Sequence, residues 1–208
     1  MERGLSPTMR ATRARILDGA SAVFQERPIP VVTVQEILER GQVSRRTFYQ
    51  YFKGLDALMD ALYEQFTDRL VTDVDAAIAA AEPGVEQIRA AIDAYLQFQT
   101  EHGLLAIRLQ AEAIRIDSPL APRRERTMDR LVGLVDDAMV SSTGFQLDPL
   151  IYRAMLTGIE GMVIHLQRGG SFEEDDRARL HRIGAPMVMQ LLAGAQYLPQ
   201  RAAPSFGF

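Results

Sequence analysis

The sequence predicts an all-α protein. Apolar residues recur at helical spacing along nearly the whole chain, and capping residues, prolines and glycines cut that pattern into helix-length segments. No apolar–polar alternation is long enough to count as a strand, and no internal repeat occurs.

The first helix spans about residues 8–25. Ile16, Leu17, Ala20, Val23 and Phe24 fall on one face of it, and Arg10, Arg13 and Arg15 crowd its first half. Arg27-Pro28-Ile29-Pro30 ends it, because proline lacks the N–H that the helix ladder needs and constrains the residue before it. Thr33-Val34-Gln35-Glu36 reads as a capping box that opens a short second helix. That helix turns Val34, Ile37 and Leu38 inward and ends near Arg40-Gly41. After a short turn, Ser44 caps a third helix running through Phe52. Two short helices joined by such a turn form a helix-turn-helix.

Longer helices follow. One covers residues 55–81 and stops at Pro83-Gly84, and the next runs to Thr100 with a break near Gly103. Another covers 104–116, ended by Ser118-Pro119 and Pro122, and a further one covers 123–141. Asp148 as N-cap with Pro149 at the first position starts a helix to Gln167. Ser171 with Glu174 makes a second capping box before the last long helix, which Pro186 is expected to kink. The expected division is a DNA-binding domain over 1–54, a larger helical ligand-binding and dimerisation domain over 55–198, and a tail over 199–208.

Composition narrows the function classes. The 208 residues are 47% hydrophobic, enough to build a core. There are no cysteines, so disulfides and thiolate metal sites are excluded and a cytoplasmic location is expected. No apolar run approaches the ~20 residues that span a bilayer, so no membrane partner is expected. The net charge of −4 conceals an asymmetry. Residues 1–55 hold nine basic and five acidic groups; the remainder holds 14 basic and 22 acidic. A positive end on an acidic body fits a polyanionic partner, with chance fluctuation as the alternative.

Geometry points to the same end. With successive residues turned by ~100° and Ser44 at zero, Phe48 falls near ~40° and Phe52 near ~80°. Those rings face a core, while Arg46 and Gln50 point the other way, flanked by Thr47 and Tyr49. Arginine pairs with guanine O6 and N7, glutamine with adenine N6 and N7, and hydroxyls hold phosphates. Arg45 and Lys53 lie near the helix ends, where phosphates pass. An ordinary solvated face is the alternative, but no acidic residue occurs from Gln42 to Leu55.

The segments Thr33-Val34-Gln35-Glu36-Ile37-Leu38, Val43-Ser44-Arg45-Arg46-Thr47-Phe48-Tyr49-Gln50-Tyr51-Phe52 and Leu55-Asp56-Ala57-Leu58 resemble the TetR family of bacterial transcriptional regulators, over roughly residues 10–66. The resemblance implies that Thr33 and Gln35 approach the DNA backbone from the second helix. It also implies that Ser44, Arg45, Arg46, Thr47, Tyr49, Gln50 and Tyr51 form the groove-facing set. Gly41-Gln42 stands where the family usually has Ala-Gly, Leu55 where it has Lys (with Lys53 two residues earlier), and Pro28-Ile29-Pro30 where it has Gly. If the second turn position needs a positive φ, Gln costs about 1 kcal/mol more than Gly there.

The resemblance further implies a homodimer on a near-palindromic double-stranded operator, with the last two long helices of each subunit forming an intersubunit bundle. Met155, Leu156, Ile159, Met162, Val163 and Leu166 make one stripe; Ile183, Met187, Val188, Gln190, Leu191 and Leu192 make another. Gly158, Gly161, Gly184 and Gly194 would allow close helix approach, and a purely intrachain core is the alternative. A small-molecule effector is expected among residues of mixed character: Tyr95, Phe98, Gln99, His102, Leu105, Leu109, Glu112, Met128 and Tyr152. Plain core is the alternative for each.

The expectation is therefore a sequence-specific DNA-binding regulator, a repressor released by its effector. The alternatives are a ligand-independent DNA-binding dimer that docks a protein partner and, remotely, a helical enzyme. His102, His165 and His181 are widely spaced, and no catalytic constellation, metal set or phosphate loop occurs, so no catalytic residue and no cofactor are expected.

Overall fold

In a computed structural model of the protein, residues 6–144, 146–167, 174–194 and 197 are described. Eight α-helices and one 3-10 turn occur among them, and no strand.

Helix α1 (Pro7–Glu26) begins at Ser6, whose hydroxyl accepts from the Met9 N–H, and carries Pro7 where a missing N–H costs nothing. It buries the predicted stripe of Ile16, Leu17, Ala20, Val23 and Phe24. Pro28 and Pro30 then replace helix with a 3-10 turn at Ile29–Val31. Helix α2 (Val34–Gly41) opens with the expected capping box. Thr33 Oγ1 accepts from the Glu36 N–H, and the Thr33 N–H donates to Glu36 Oε2 at 2.7 Å. Two orphan donors are satisfied reciprocally, a device worth about 1 kcal/mol. The α1 and α2 backbones meet at two glycines: a Cβ on Gly19 would lie 2.8 Å from the Gly41 nitrogen.

The turn to α3 (Arg45–Tyr51) passes through Gln42 at φ 51, ψ 47, the left-handed conformation. The Val43 N–H closes it on the Leu38 carbonyl at 3.1 Å. The condition attached to Gly41-Gln42 is thus met, and a side chain with a Cβ sits where glycine is usual.

Helix α4 (Leu55–Ala80) carries Leu58, Leu62, Phe66 and Leu70 at i, i+4 spacing, all buried. Helix α5 (Val85–Ile114) runs past the predicted break as one element with non-helical geometry at Gly103, φ 48 and ψ −125. Helix α6 (Ala121–Thr143) begins earlier than expected. Pro122 falls in its first turn, where proline removes no intrahelical bond, rather than ending anything. Asp148 Oδ1 accepts from the Leu150 N–H at 2.8 Å and starts α7 (Pro149–Gln167). Helix α8 (Glu174–Ala193) continues through Pro186. The Ser171 half of the second capping box, Gly169-Gly170 and the tail over 199–208 lie outside the described residues.

The chain forms two compact units, each discontinuous in sequence. The first is Met1–Phe66 with Gly103–Arg124, and the second is Thr67–His102 with Glu125–Phe208. In the first, two arginines bind residues 103–124 to the N-terminal helices. Arg108 donates to the Phe24 carbonyl at the end of α1 at 2.5 Å. Arg123 grips Asp60 through Nε at 2.6 Å and Nη2 at 2.7 Å, and reaches Glu64 at 2.7 Å. These contacts hold the Arg123 guanidinium, only partly exposed, well above its usual basicity, the Asp60 hydrogen bonds first.

In the second unit, α7 packs on α8. Ile159 and Val163 face their own core and are buried, while Met155, Leu156, Met162 and Leu166 are half-buried. Two of the six α7 stripe residues are therefore fully covered within the chain and four only partly. What α7 exposes is the opposite, small-residue face: Ala154, Gly158 and Gly161, with Leu150 69% exposed. On α8, Ile183 and Met187 are exposed, Val188 is buried and Gln190 is exposed, while the side chains of Leu191 and Leu192 lie outside the described residues.

Candidate nucleic-acid interface

The third helix rests on two aromatic rings. Phe48 is 0% exposed and Phe52 nearly so, with ring centroids 5.8 Å apart. Their i, i+4 spacing turns the rest of α3 outward. Arg46, Tyr49 and Gln50 are exposed, and Thr47 and Tyr51 are half-buried beside them. Tyr49 is 51% exposed and meets the Phe48 ring edge-on at 5.2 Å. The buried ring thus steadies a phenol whose hydroxyl end is in water.

Several predicted contacts have local work first. Ser44 Oγ accepts from the Thr47 N–H at 3.0 Å, and the two hydroxyls lie 2.8 Å apart. The Thr33 hydroxyl donates to Glu36 Oε2 at 2.7 Å. The Thr33 N–H and hydroxyl, and then Arg27, hold the Glu36 carboxyl below the usual carboxylate range. Gln35 donates to Glu39 at 2.8 Å and accepts from Arg45 at 3.3 Å. This Glu39–Gln35–Arg45 chain borders an open concavity of about 320 Å³ at the α2–α3 turn.

The cations divide into two sets. Arg27 pairs with Glu36, and Arg40 with Glu26 at 2.6 Å, so these two add little field. Arg46 and Lys53 are exposed and make no ion pair or hydrogen bond among the described residues. Arg46 and Lys53 thus put unpaired positive charge on α3 and just past its C-terminal end, and Arg15 on α1 is exposed and likewise unpaired among the described residues. Arg10 is exposed, but Arg13 lies over the Phe52 ring, 5.7 Å from its centroid. It therefore ties α1 to α3 as well as carrying charge. Arg108 and Arg123, which brace this unit, were not singled out from the sequence. Their partners lie 84 and about 60 positions away.

The expected effector residues fall in both units. Leu105, Leu109 and Glu112 belong to the first; Tyr95, Phe98, Gln99, His102, Met128 and Tyr152 belong to the second. Leu105, Leu109, Phe98 and Met128 are buried apolar residues, and Tyr95 is half-buried. His102 stacks on Phe98 at 4.1 Å and its Nδ1 is 2.9 Å from the Phe98 carbonyl. Glu112 is held by Arg115 and Ser118. Tyr152 is fully buried and its hydroxyl accepts from the Leu147 N–H at 3.4 Å. Burial, then the neighbouring Asp136, raises this phenol well above its usual pKa. It serves as a strut between α7 and the segment before it. Gln99 is different: it is 0% exposed, and neither Oε1 nor Nε2 has a hydrogen-bond partner.

Among the described residues, no three His, Asp or Glu are grouped to hold a metal, and no helix is long and apolar enough to cross a membrane.

Comparison with known proteins places this geometry. The model of the bacterial regulatory proteins of the tetR family matches residues 16–62, the span from the middle of α1 into α4. An uncharacterized HTH-type transcriptional regulator of Mycobacterium tuberculosis is 25% identical over 182 residues, 88% of each chain. The HTH-type transcriptional activator FasR of Mycolicibacterium smegmatis is 31% identical over 107 residues, 51% of this chain and 48% of that one. The crystal structure of FadR from Bacillus subtilis, in complex with stearoyl-CoA, superposes with a TM-score of 0.71 at 19% identity, covering 88% of this chain and 98% of that one.

Proposed function

The chain belongs to the tetR family of bacterial regulatory proteins and is a DNA-binding transcriptional regulator, and from that premise we propose that it acts as a homodimeric repressor whose grip on a near-palindromic operator is released by a small molecule. The observation that carries the DNA-reading part is the outer face of α3. Arg46 and Gln50 stand exposed over a fixed Phe48–Phe52 platform, with no acidic residue among them. In this reading α3 enters the major groove, Arg46 takes a guanine edge and Gln50 an adenine edge. Arg45, Lys53, Tyr49, Tyr51 and the hydroxyls of Ser44, Thr47 and Thr33 line the phosphate path, and Gln35 aims Arg45 at it.

The exposed small-residue face of α7 and the exposed Ile183 and Met187 of α8 support pairing with a second copy. Helices without side-chain bulk approach closely, and apolar residues left in water gain by being covered. The effector acts by population shift: it lowers operator affinity by the ratio of its affinities for the two conformations, and no further. That FadR of Bacillus subtilis, which shares the fold, is described in complex with stearoyl-CoA supports a small-molecule effector. The name of FasR, an activator, favours a second reading in which the bound protein promotes transcription.

The test is binding selection from a random duplex library, followed by titration of the enriched site at two salt concentrations. A near-palindrome bound by two chains, with affinity falling steeply as salt rises, is the expected result. Enrichment of a single half-site bound by one chain contradicts the dimeric reading.

A further inference from the structure

A fully buried amide with neither end bonded is an unusual thing to keep. Nearly all buried polar groups in folded proteins find a partner, and each one left without costs stability. Gln99 violates this on both sides at once, since its Nε2 carries two donors and its Oε1 is an acceptor. Its surroundings do not make up the loss. Leu96 and Ile92, three and seven residues back on the same helix face, are buried apolar side chains. The adjacent Phe98 is buried beneath His102.

Charge narrows what completes the amide. The buried polar or charged residues of this unit are Thr67, Gln99, Thr127 and Glu160, and no buried Arg, Lys or His occurs among its described residues. An anion entering here would lose its hydration and meet no fully buried counter-charge; the titratable group next along this face, His102, is half-buried with Nδ1 2.9 Å from the Phe98 carbonyl. A carboxylate offers only acceptors and leaves Oε1 unmet; an ammonium offers only donors and leaves Nε2 unmet. A group with a donor and an acceptor side by side meets both.

We propose that Gln99 is the polar anchor of the effector site, and that the site takes an uncharged ligand presenting a donor and an acceptor on one edge of an apolar body, the chemistry of a primary amide or a lactam. The assignment rests on the reading that a small molecule is bound by this part of the chain. It separates this protein's effector chemistry from that of a free fatty acid, whose carboxylate presents only acceptors to such an amide.

The test uses the full chain, its Gln99→Met variant, and a matched pair of probes, decanamide and decanoate. Without probe, Gln99→Met unfolds at a higher temperature than the wild type, because an unbonded amide has been replaced by an apolar side chain of similar length. Decanamide raises the wild-type midpoint and decanoate does not. The decanamide Kd rises about tenfold in Gln99→Met, the loss of two neutral hydrogen bonds. A variant that is less stable or fails to fold overturns the proposal, because the amide is then bonded in the free protein. No amide effect in the wild type, an equal effect from decanoate, or decanamide affinity retained in Gln99→Met also overturns it; in the first case the amide holds water only. Operator binding separates this from the wider reading. Decanamide bound through Gln99 without DNA release leaves the anchor standing and removes effector control. DNA release that Gln99→Met retains leaves effector control standing and removes the anchor.

Discussion

Gln50 on α3 and Gln99 on α5 carry the same amide, one exposed on the outer face of the first unit, the other fully buried in the second. In water an amide keeps its hydrogen bonds until a base edge replaces them, so Gln50 is nearly neutral for folding. In a core, each missing partner costs about 1–3 kcal/mol, so Gln99 is a standing cost until something completes it. The two units therefore prepare for their partners differently. The reading surface is held ready by what lies beneath it, the Phe48 and Phe52 rings and the Ser44 cap. The interior of the body is left incomplete. A surface poised for DNA is recognised by charge and exposure; a site poised for an effector is recognised by a deficit.

The comparison is easiest to break at the platform. Phe48→Ala removes a fully buried ring from beneath α3 and is expected to cost about 3–5 kcal/mol in a denaturant titration, with loss of DNA binding. A stably folded, fully binding variant would mean that α3 does not depend on that ring for its orientation.

A smaller effect tests the turn. Gln42 holds φ 51 at the cost of its Cβ, so Gln42→Gly is expected to stabilise by about 1 kcal/mol, read as a higher urea midpoint at unchanged slope. A lower midpoint would show that the Gln42 side chain makes up the strain through contacts of its own.

The smallest effect sharpens the contrast between the two amides. Gln50→Ala is expected to leave stability within about 0.5 kcal/mol, while weakening binding to an enriched site by about 1–3 kcal/mol. A clear loss of stability with DNA binding intact would make Gln50 a structural residue and dissolve the contrast.

The first unit was legible in the sequence to an unusual depth, because its signals are local. Thr33 and Ser44 cap their helices through neighbours three residues away, and the prolines around Ile29 act on the residues beside them. The angular position of Arg46 and Gln50 follows from Phe48 and Phe52 alone. The break at Gly103 was legible for the same reason.

What was not legible depends on distant partners. Periodicity located the apolar stripe of α7 but not what it packs on, and Ile159 and Val163 turn out to be buried. Nothing local marks Arg108 or Arg123 as braces. Composition marks the mixed-character residues of the middle helices, and composition cannot tell the bonded Tyr152 hydroxyl from the unbonded Gln99 amide. That distinction exists only once neighbours are in place.

The most direct test of the central claim, that α3 reads sequence, is the affinity of the wild type and Arg46→Ala for an enriched site and for a scrambled duplex of the same length, at one salt concentration. The account predicts a loss of about 1–3 kcal/mol on the enriched site, little change on the scrambled one, and relaxed preference at a single base pair per half-site. An equal loss on both duplexes would make Arg46 a phosphate contact and contradict the assignment of its face to the bases.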